Sequence, residues 1–317
     1  MGYDVSGLAN YTDENKLPLL LKAQLKSKTA SLLTLQTGVK GPEKINLLNV
    51  TLVAQARGCG FTSQGGIAFT QRTLTPAKAD FKMSFCPADL EAKWTKHELL
   101  AGAAKENEVI PFEQETTDLI VKGIGAIIEV AAWQGDTASG SANLNKGDGL
   151  IKLIDASTGE IEANATPFMA TPITVAVGVK KSNISSVVDA FIAALPSVAA
   201  SLDDIVLFFP NEWYRMYVQA IKDANLFHYS RELAPSMEML IPGTNYRLVA
   251  VDGLNGTNRA FMFSLSNAVY GVDLESDSEE FKIRYSEDND EVRFTAKMNY
   301  AFQVAFPDEV VKFTLVP

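Results

Sequence analysis

The longest helical pattern in the chain lies between Pro111 and Gly135. Apolar and small residues recur there at three- and four-residue steps, which place them on one face of a helix. They are Phe112, Thr116, Leu119, Ile120, Gly123, Ile124, Ile127, Ile128 and Ala131. Pro111 suits the first helical position, and we expect Gly135 to end the helix in a left-handed conformation. Gly123 and Gly125 are costly mid-helix and predict that another backbone crosses closely there. The pattern predicts a helix about 37 Å long, against which other elements of the chain pack.

A second pattern, alternation with a period of two, predicts a long two-stranded ribbon over residues 45–90. The apolar positions of the outgoing strand are Val50, Leu52, Ala54 and Ala56, and those of the returning strand are Ala79, Phe81, Met83 and Phe85. The tip is rich in glycine and turns freely. A ribbon of this length is marginal alone. If its own chain does not cover it, a neighbouring subunit must.

The remaining patterns predict a mixture of helices and strands. Helical spacing predicts helices over 13–35, 87–105 and 182–195, and one opened by Pro210. Short apolar runs predict strands at 149–155, 173–179 and 205–209, and three between 239 and 274. The tail alternates over 281–285 and again over 294–306, on either side of an acidic turn. This last pattern predicts a long hairpin with one buried face.

Composition limits the classes of protein that fit these elements. The chain has 317 residues, of which 47% are hydrophobic and 21% charged, as in ordinary globular proteins. Its net charge of −10 argues against a dedicated nucleic-acid binder. Two cysteines exclude a disulfide scaffold and favour reduced, cytoplasmic thiols. We expect no signal peptide and no membrane span.

Charge is distributed unevenly along the chain. Residues 16–44 are basic, opposed only by Glu43, whereas residues 273–291 carry nine acidic residues. This asymmetry favours joining of copies head to tail. Two separate solubilising surfaces explain it equally well.

The sequence contains no recognisable catalytic constellation. His97 and His228 are far apart and have no metal-ligand spacing. Cys59 lies between two glycines without a base nearby, and Cys86 precedes a proline, so both are better interpreted as structural residues. Nucleophile-elbow, P-loop and dinucleotide motifs are absent. We expect no enzyme activity, no cofactor and no metal.

The order of these elements resembles the major capsid proteins of tailed bacteriophages with the Hong Kong 97 fold. The similarity rests on FTQRTLTPAKADFKMSFCPADLEAKW in the ribbon, FEQETTDLIVKGIGAIIEVAAWQGD in the long helix, and VRFTAKMNYAFQVAFPDEVVKFTL at the end. The resemblance implies an α+β fold, with domains as follows: an N-terminal arm (1–37), an E-loop (38–90), a peripheral P domain with the spine helix (91–170, spine 111–135), an axial A domain (171–269) and return strands of the P domain (270–317).

The resemblance also implies a structural function. Copies would form hexamers and pentamers of an icosahedral virion head that encloses double-stranded DNA, after assembly in the host cytoplasm. Scaffolding, portal and decoration proteins are the implied partners, and no long scaffolding segment is expected at the N-terminus. The arm would latch to an adjacent copy. Predicted contacts between subunits are Phe81, Met83, Phe85, Arg72, Phe61, Lys22 and Lys26. Lysine crosslinking, known in the family, does not map to Lys78 or Lys82.

Other functions remain open at this point. An encapsulin-like nanocompartment shares the fold and holds cargo enzymes instead of DNA, so nucleic acid in purified particles separates the two. An α/β enzyme predicts a monomer or dimer with a concave polar pocket. A secreted β-rich binding module is disfavoured by the missing signal peptide.

Overall fold

The structure is a computed structural model that describes residues 26–55, 57, 64–86, 112–224, 237–273, 280–286, 289 and 291–317. The helices are α1 (Lys28–Leu32), α2 (Phe112–Gln134), α3 (Leu150–Asp155), α4 (Ile184–Ala194), α5 (Ser197–Ala200) and α6 (Asn211–Asp223). The first strands are β1 (Thr34–Gln36), β2 (Glu43–Leu52), β3 (Gly65–Leu74), β4 (Ala77–Phe85), β5 (Ile161–Glu162), β6 (Ile205–Pro210) and β7 (Glu238–Leu240). The later strands are β8 (Arg247–Val251), β9 (Arg259–Ser264), β10 (Ala268–Val272), β11 (Glu280–Ser286), β12 (Glu291–Val304) and β13 (Val311–Thr314).

The first sheet is built around the 14-residue strand β12. Strand β4 and strand β11 pair antiparallel with the same stretch of β12, so they lie on its two edges. Strand β10 pairs with the end of β12, and β1 adds a parallel strand outside β10. The predicted tail hairpin is therefore confirmed, and its second strand, β12, is the centre of a five-stranded sheet.

The second sheet has the strand order β5-β13-β9-β6-β8-β7 and lies between two hydrophobic cores. Every residue of β6 is buried, as its continuous apolar run predicts. Val206 and Phe208 face a core that includes α2 and the first sheet. The other side, with Leu207 and Phe209, packs against a second core that contains α4 and α6.

The predicted long helix is confirmed as α2, with 23 residues. Ile124, Ile128 and Ala131 are buried as predicted, but Leu119 is 64% exposed. A Cβ added at Gly123 would meet nothing within 4 Å, so no backbone of the described residues crosses there. The buried face is rotated from the predicted one because positions such as Thr117 and Val121 face the core instead.

The close approach of another backbone segment occurs instead at the end of α2. Gly135 does not have a positive φ, contrary to the prediction. A Cβ at Gly135 would lie 2.5 Å from the Ala131 carbonyl oxygen and 2.6 Å from that of Gly147. The Gly149 amide donates to the Gly135 carbonyl at 2.8 Å. Gly135 is thus required by close packing of the following loop, and not by a left-handed cap.

The ribbon exists, but its strands differ from the prediction. Strand β2 pairs with β3 over ten residues, from Glu43 opposite Leu74 to Leu52 opposite Gly65. The alternating segment that was expected to return the ribbon is β4, which pairs instead with β12. Alternation correctly predicts which residues of β4 face the core. It does not identify the partner strand, which here lies more than 200 residues later.

Several shorter elements also differ from the sequence predictions. Residues 150–155 form helix α3 and not a strand, because Leu150 and Ile154, four residues apart, are the buried pair. Segment 173–179 makes one bridge, Thr174 to Val316, and no strand. Helix α1 ends at Leu32, before the predicted Leu35, because Thr34–Gln36 joins the first sheet.

Residues 260–272 form two strands separated by a 3-10 turn. The helical patterns over 13–25 and 87–105, and both histidines and Cys59, lie outside the described residues.

Candidate assembly surface

One side of the β2–β3 ribbon is apolar and uncovered in the described part of the chain. Ile67 is 62% exposed, Phe69 is 76% exposed and Leu52 is 88% exposed. Residues two apart on a strand point to the same side, and directly paired residues share a side. The register pairs Leu52 with Gly65, two residues before Ile67, so these three side chains share one side of the ribbon. Large apolar side chains grouped in this way mark an interaction surface.

The base of the ribbon is anchored to the rest of the chain. Leu74 is fully buried and clusters with Val39 and Ala301. The Gln303 side-chain amide donates to the Thr73 carbonyl oxygen at 2.7 Å. The ribbon is therefore fixed to the subunit at its base, and its far half is exposed.

The predicted contact residues fall into three groups. Phe81 and Phe85 are half-buried against the first core, whereas Met83, on the same strand, is 47% exposed. Arg72 lies at the base of the ribbon and donates from Nη1 to the Ser157 hydroxyl of its own chain at 3.0 Å. Lys26 is exposed. Phe61 and Lys22 lie outside the described residues.

Among the described residues, the predicted contacts Met83, Phe81, Phe85 and Arg72 do not fall on the same surface as Ile67 and Phe69. Met83 lies on the sheet strand β4, away from the ribbon strands that carry Ile67 and Phe69. The sequence prediction did not include Ile67 and Phe69. The available signal was the alternation of Ile67 and Phe69 with the small or polar Ala68 and Thr70, but the glycines before Ile67 are typical of a turn.

The N-terminal segment is tied to α2 through a buried carboxylate. Glu129 is 4% exposed. It accepts hydrogen bonds from the Ser27 hydroxyl at 2.5 Å, the Thr29 amide at 2.8 Å and the Thr29 hydroxyl at 2.6 Å. The Trp133 indole donates to the Thr29 hydroxyl at 2.7 Å. A buried charge is tolerated because these donors satisfy it.

Lys28 also connects the N-terminal segment to the second sheet. Lys28 Nζ donates to the Ala250 carbonyl oxygen at 2.9 Å and lies 3.6 Å from a Glu238 carboxylate oxygen. Burial lowers the pKa of Lys28, and the nearby Glu238 carboxylate opposes that shift. The segment 27–29 thus joins the long helix to strands β7 and β8.

The loop after α2 is closed by an ion cluster. Lys152 Nζ lies 2.6 Å from Asp136 Oδ1 and 2.7 Å from Asp148 Oδ1. The hydrogen bonds that Lys152 donates to these two carboxylates raise the pKa of Lys152, and the one to Asp136 lowers the pKa of Asp136. Burial alone would raise the pKa of Asp148, but bonds from Lys152 and Thr137 outweigh it and lower the value. The cluster holds the loop in the conformation in which its backbone packs against Gly135.

This loop borders a depression of about 510 Å³, lined in part by Trp133, Lys152, Asp155 and Arg259. Its charged groups bind one another, since Arg259 pairs with Asp155 and Lys152 with the aspartates above. The depression therefore contains no paired nucleophile and base. Among the residues that the structure describes, no three metal-ligating side chains are grouped to hold an ion. None of the described helices has the length and hydrophobicity needed to cross a membrane.

Comparisons with solved structures show which fold this is. The chain is similar to one in the procapsid of satellite phage P4, a structure that includes the size determination (Sid) protein. The TM-score is 0.62 and the identity 12%, over 95% of this chain and 91% of that one. The capsid of a native GTA particle gives a TM-score of 0.54 at 10% identity, over 93% and 91% of the two chains. The capsid of Myoviridae phage XM1 gives 0.51 at 10% identity, over 90% of each.

At these identities the likeness establishes the fold alone. No protein-family model matches the chain, and no curated protein is similar to it in sequence. The chain therefore has an α+β fold that is shared, over nearly its whole length, with chains of phage capsids.

Proposed function

We propose that this chain is the major capsid protein of a tailed phage, with the Hong Kong 97-like fold. Copies assemble as hexamers and pentamers into an icosahedral head that encloses double-stranded DNA. The observation that carries the proposal is the uncovered apolar side of the β2–β3 ribbon. It occurs on a fold shared over 95% of the chain with a procapsid structure.

The element order supports an assignment of domains. The arm is 1–37, the E-loop begins at 38, the spine helix is α2, the A domain is 171–269 and the return strands begin at 270. The pairing of β4 with β12 favours one change from the sequence prediction. Residues 77–85 belong to the P-domain sheet, so the free part of the E-loop ends near Pro76.

The ribbon supplies a physical reason for self-association. Burying a large apolar side chain contributes about 1.5–3 kcal/mol. Leu52, Ile67 and Phe69 together offer several kcal/mol per contact, which a closed symmetric shell repeats at every subunit. The net charge of −10 suits a container that holds DNA without binding it tightly. The chain acts as a structural component of the virion and catalyses no reaction.

The first test is electron microscopy of the purified protein, with light scattering on the same sample. We expect closed shells or five- and six-membered rings. A uniform monomer at every concentration and salt, also after co-expression with the other head proteins, would contradict the proposal. Double-stranded DNA in particles from infected cells supports a virion head, whereas particles filled with a cargo enzyme would indicate a nanocompartment.

The second test removes the ribbon contact in the full chain. The double variant Ile67→Asp, Phe69→Asp should abolish shells and leave a folded subunit with an unchanged far-UV circular dichroism spectrum. Thr73→Asp, Thr75→Asp is the matched control, because it adds the same two charges, also two residues apart, to exposed positions at the anchored base of the ribbon. Normal shells from the double variant would overturn the role of the ribbon.

A further inference from the structure

The solvent side of the first sheet carries closely spaced cations. Residues 292, 294 and 296 of β12 are buried in the first core, so Arg293 and Thr295 point to the opposite side. Each of the two is paired with one residue of β4 and one of β11, and paired residues share a side. The six positions contain four cations, two hydroxyls and no carboxylate. We call them the cationic block: Ser84, Arg293 and Arg284 in one row, and Lys82, Thr295 and Lys282 in the next.

The cationic block is arranged at a cost to its own sheet. Arg284 and Arg293 are directly opposite each other in the register, and like charges in such positions repel. Lys82 lies 3.3 Å from a carboxylate oxygen of Asp80, and Arg293 lies 3.7 Å from one of Glu291. Both pairs are in contact with solvent, where an ion pair contributes little. The arrangement therefore favours an anionic partner that lies against both rows.

A group of carboxylates lies where the chain passes from the first sheet to the second. Burial raises the pKa of Glu309, and the nearby carboxylates of Asp308 and Asp204 raise it further. Asp204 accepts hydrogen bonds from the Ser264 hydroxyl at 2.7 Å and the Ser266 amide at 2.9 Å, which are uncharged donors. Within the described residues, no lysine or arginine forms an ion pair with any of the three carboxylates. We call Asp204, Asp308 and Glu309 the carboxylate cluster.

The cationic block and the carboxylate cluster lie far apart in one subunit. The block is at the beginning of β12, whereas the cluster follows the end of this strand, where the Asn267 amide donates to the Phe306 carbonyl oxygen at 2.7 Å. From Arg293 to Val304 the extended strand covers about 36 Å, at roughly 3.3 Å per residue. No side chain spans that distance. The opposite charges therefore cannot neutralise each other within one copy.

We propose that the cationic block of one copy binds the carboxylate cluster of a second copy. Arg284, Arg293 and Asp308 are exposed, so both groups are accessible. A second copy is favoured over any other anion because it also supplies the cations that the carboxylate cluster lacks. Contact between the two groups relieves the repulsion inside each, and like groups of two copies repel, which suppresses wrong pairings.

The contact is head-to-tail, because the two groups differ and lie at opposite ends of β12. Such a contact closes into a ring when it is repeated by rotation. The inference rests on the proposed self-assembly, and it adds a charged contact to the apolar contact of the ribbon.

Charge reversal in the full chain tests the contact. The block variant is Arg284→Glu, Arg293→Glu, which keeps two like charges opposite each other and so adds no new repulsion to the sheet. The cluster variant is Asp308→Lys, Glu309→Lys. Where the unchanged chain forms rings or shells, we expect each variant alone to form at least about tenfold fewer particles. All four changes in one chain should restore the yield to within about threefold, because the two groups are again opposite in charge.

A mixture of the block variant and the cluster variant gives a more specific expectation. The reversed block attracts the reversed cluster, and the natural block attracts the natural cluster, so each variant binds only the other. A ring in which two variants alternate has an even number of subunits. Electron microscopy of the mixture should therefore show six-membered rings and no five-membered rings.

The matched control is Arg215→Glu, Lys222→Glu, which reverses two exposed cations of α6. Its particle yield should stay within about threefold of the unchanged chain, as expected for surface changes outside a contact. The inference is overturned if the block variant assembles normally, or if the control loses as many particles as the block variant. It is also overturned if folded variants, checked by circular dichroism, recover neither in one chain nor in the mixture. A block variant that assembles normally but no longer retains duplex DNA would assign the block to nucleic acid.

These results are distinguishable from a failure of the proposed function. Shells of the unchanged chain that the block variant also forms would leave the function standing and remove the charged contact. Small oligomers that the block variant abolishes, with no shells under any condition, would support the charged contact and contradict the function. Sedimentation velocity of the unassembled proteins at low and high salt measures these oligomers.

Discussion

At the scale of single residues, Glu129 connects the N-terminal segment to the rest of the fold. All three hydrogen bonds that it is seen to accept come from Ser27 and Thr29. We expect Glu129→Gln to lower the free energy of unfolding by about 2–3 kcal/mol, because the new amide group turns a donor toward existing donors. Urea denaturation of the unassembled subunit measures this.

The matched control for Glu129→Gln is Asp203→Asn, the same chemical change at an exposed position. It should stay within about 0.5 kcal/mol of the unchanged protein. If both variants have the same urea midpoint as the unchanged chain, the buried carboxylate does not hold the segment.

Gly253 is a second residue with no tolerance for change. A Cβ at this position would lie 2.3 Å from the Glu129 carbonyl oxygen and 2.3 Å from Trp133 Cδ1. Gly253 lies in the 3-10 turn Asp252–Leu254. Gly253→Ala should therefore separate α2 from this turn and lower the free energy of unfolding by about 1–3 kcal/mol. Thermal unfolding tests this against Gly140→Ala, where a Cβ meets nothing within 4 Å. Equal melting temperatures for the two variants would show that the contact relaxes without cost.

Glu162 gives the stability a defined pH dependence. Burial raises the pKa of its carboxyl, although hydrogen bonds from the Thr314 and Asn164 amides and the charge of Lys312 oppose the shift. Because the folded pKa lies above the ordinary value of 4.5, the folded chain binds the proton more tightly. The unchanged protein therefore loses stability from this group as pH rises through the folded pKa.

It follows that Glu162→Gln should be more stable than the unchanged protein at pH 7, since its amide oxygen still accepts both backbone hydrogen bonds. The difference should vanish below about pH 4, under both pKa values. Urea midpoints over this pH range measure it. A variant that is less stable at pH 7 would show that the charge is compensated by Lys312.

At the scale of elements, the ribbon and strand β4 respond differently to the same truncation. Phe69 is 76% exposed on the ribbon, whereas Phe81 is half-buried against the first core. Phe69→Ala should leave the stability of the unassembled subunit unchanged. Phe81→Ala should cost about 2 kcal/mol, roughly half the cost at a fully buried phenylalanine.

Denaturant unfolding of the two alanine variants, at a concentration where no particles form, makes this comparison. The opposite ranking would mean that the ribbon packs on its own subunit. The same reasoning makes Phe81 and Phe85 poor positions for testing assembly, because substitutions there also disturb the core.

The sequence predicted the elements whose burial pattern is strong and local. Helix α2 and the β11–β12 hairpin each combine a clear period with sufficient length, and strand β6 is a continuous apolar run. It failed at Leu150–Asp155, where a short run of apolar residues fits both a strand and a helix. It also failed to pair β4, because alternation specifies a face of a strand and carries no information about its partner.

The sequence predicted the type of surface, a two-stranded ribbon, but only some of its residues. The sequence predicts a ribbon that must be covered either by its own chain or by a neighbouring subunit, and the exposed Leu52 belongs to the predicted outgoing strand. Ile67 and Phe69 were missed because two glycines at the start of β3 resemble a turn, whereas they occupy paired strand positions. Glu129 could not be foreseen, since its partners lie about 100 residues away in sequence.

At the scale of the whole molecule, the six-stranded sheet joins the two cores. Trp133 contacts Phe208 on one side, with ring centroids 5.2 Å apart, and Trp213 contacts Phe209 on the other at 5.7 Å. Adjacent residues of β6 thus belong to different cores. We expect the described subunit to unfold in one transition, because neither core can lose its packing without exposing the shared sheet.

Two variants with one chosen tryptophan each test this cooperativity. Trp94→Phe, Trp213→Phe leaves Trp133 as the reporter, and Trp94→Phe, Trp133→Phe leaves Trp213. In each variant, fluorescence and far-UV circular dichroism should follow one urea curve. A fluorescence change that precedes or trails the circular dichroism in either variant would show that the cores unfold separately.

The position of β12 and β13 in the sheets has a consequence for synthesis on the ribosome. Strands β4, β10 and β11 all pair with β12, so the first sheet cannot form until residues from Glu291 onward are made, whereas in the second sheet only β5 depends on a strand made after that point, β13. A nascent or prematurely ended chain therefore lacks the centre of its first sheet and the anchor that Gln303 provides for the ribbon. Because β12 is made late in translation, only a chain that contains β12 presents a ribbon held in position for a neighbouring subunit. Incomplete chains are thereby kept out of assembly.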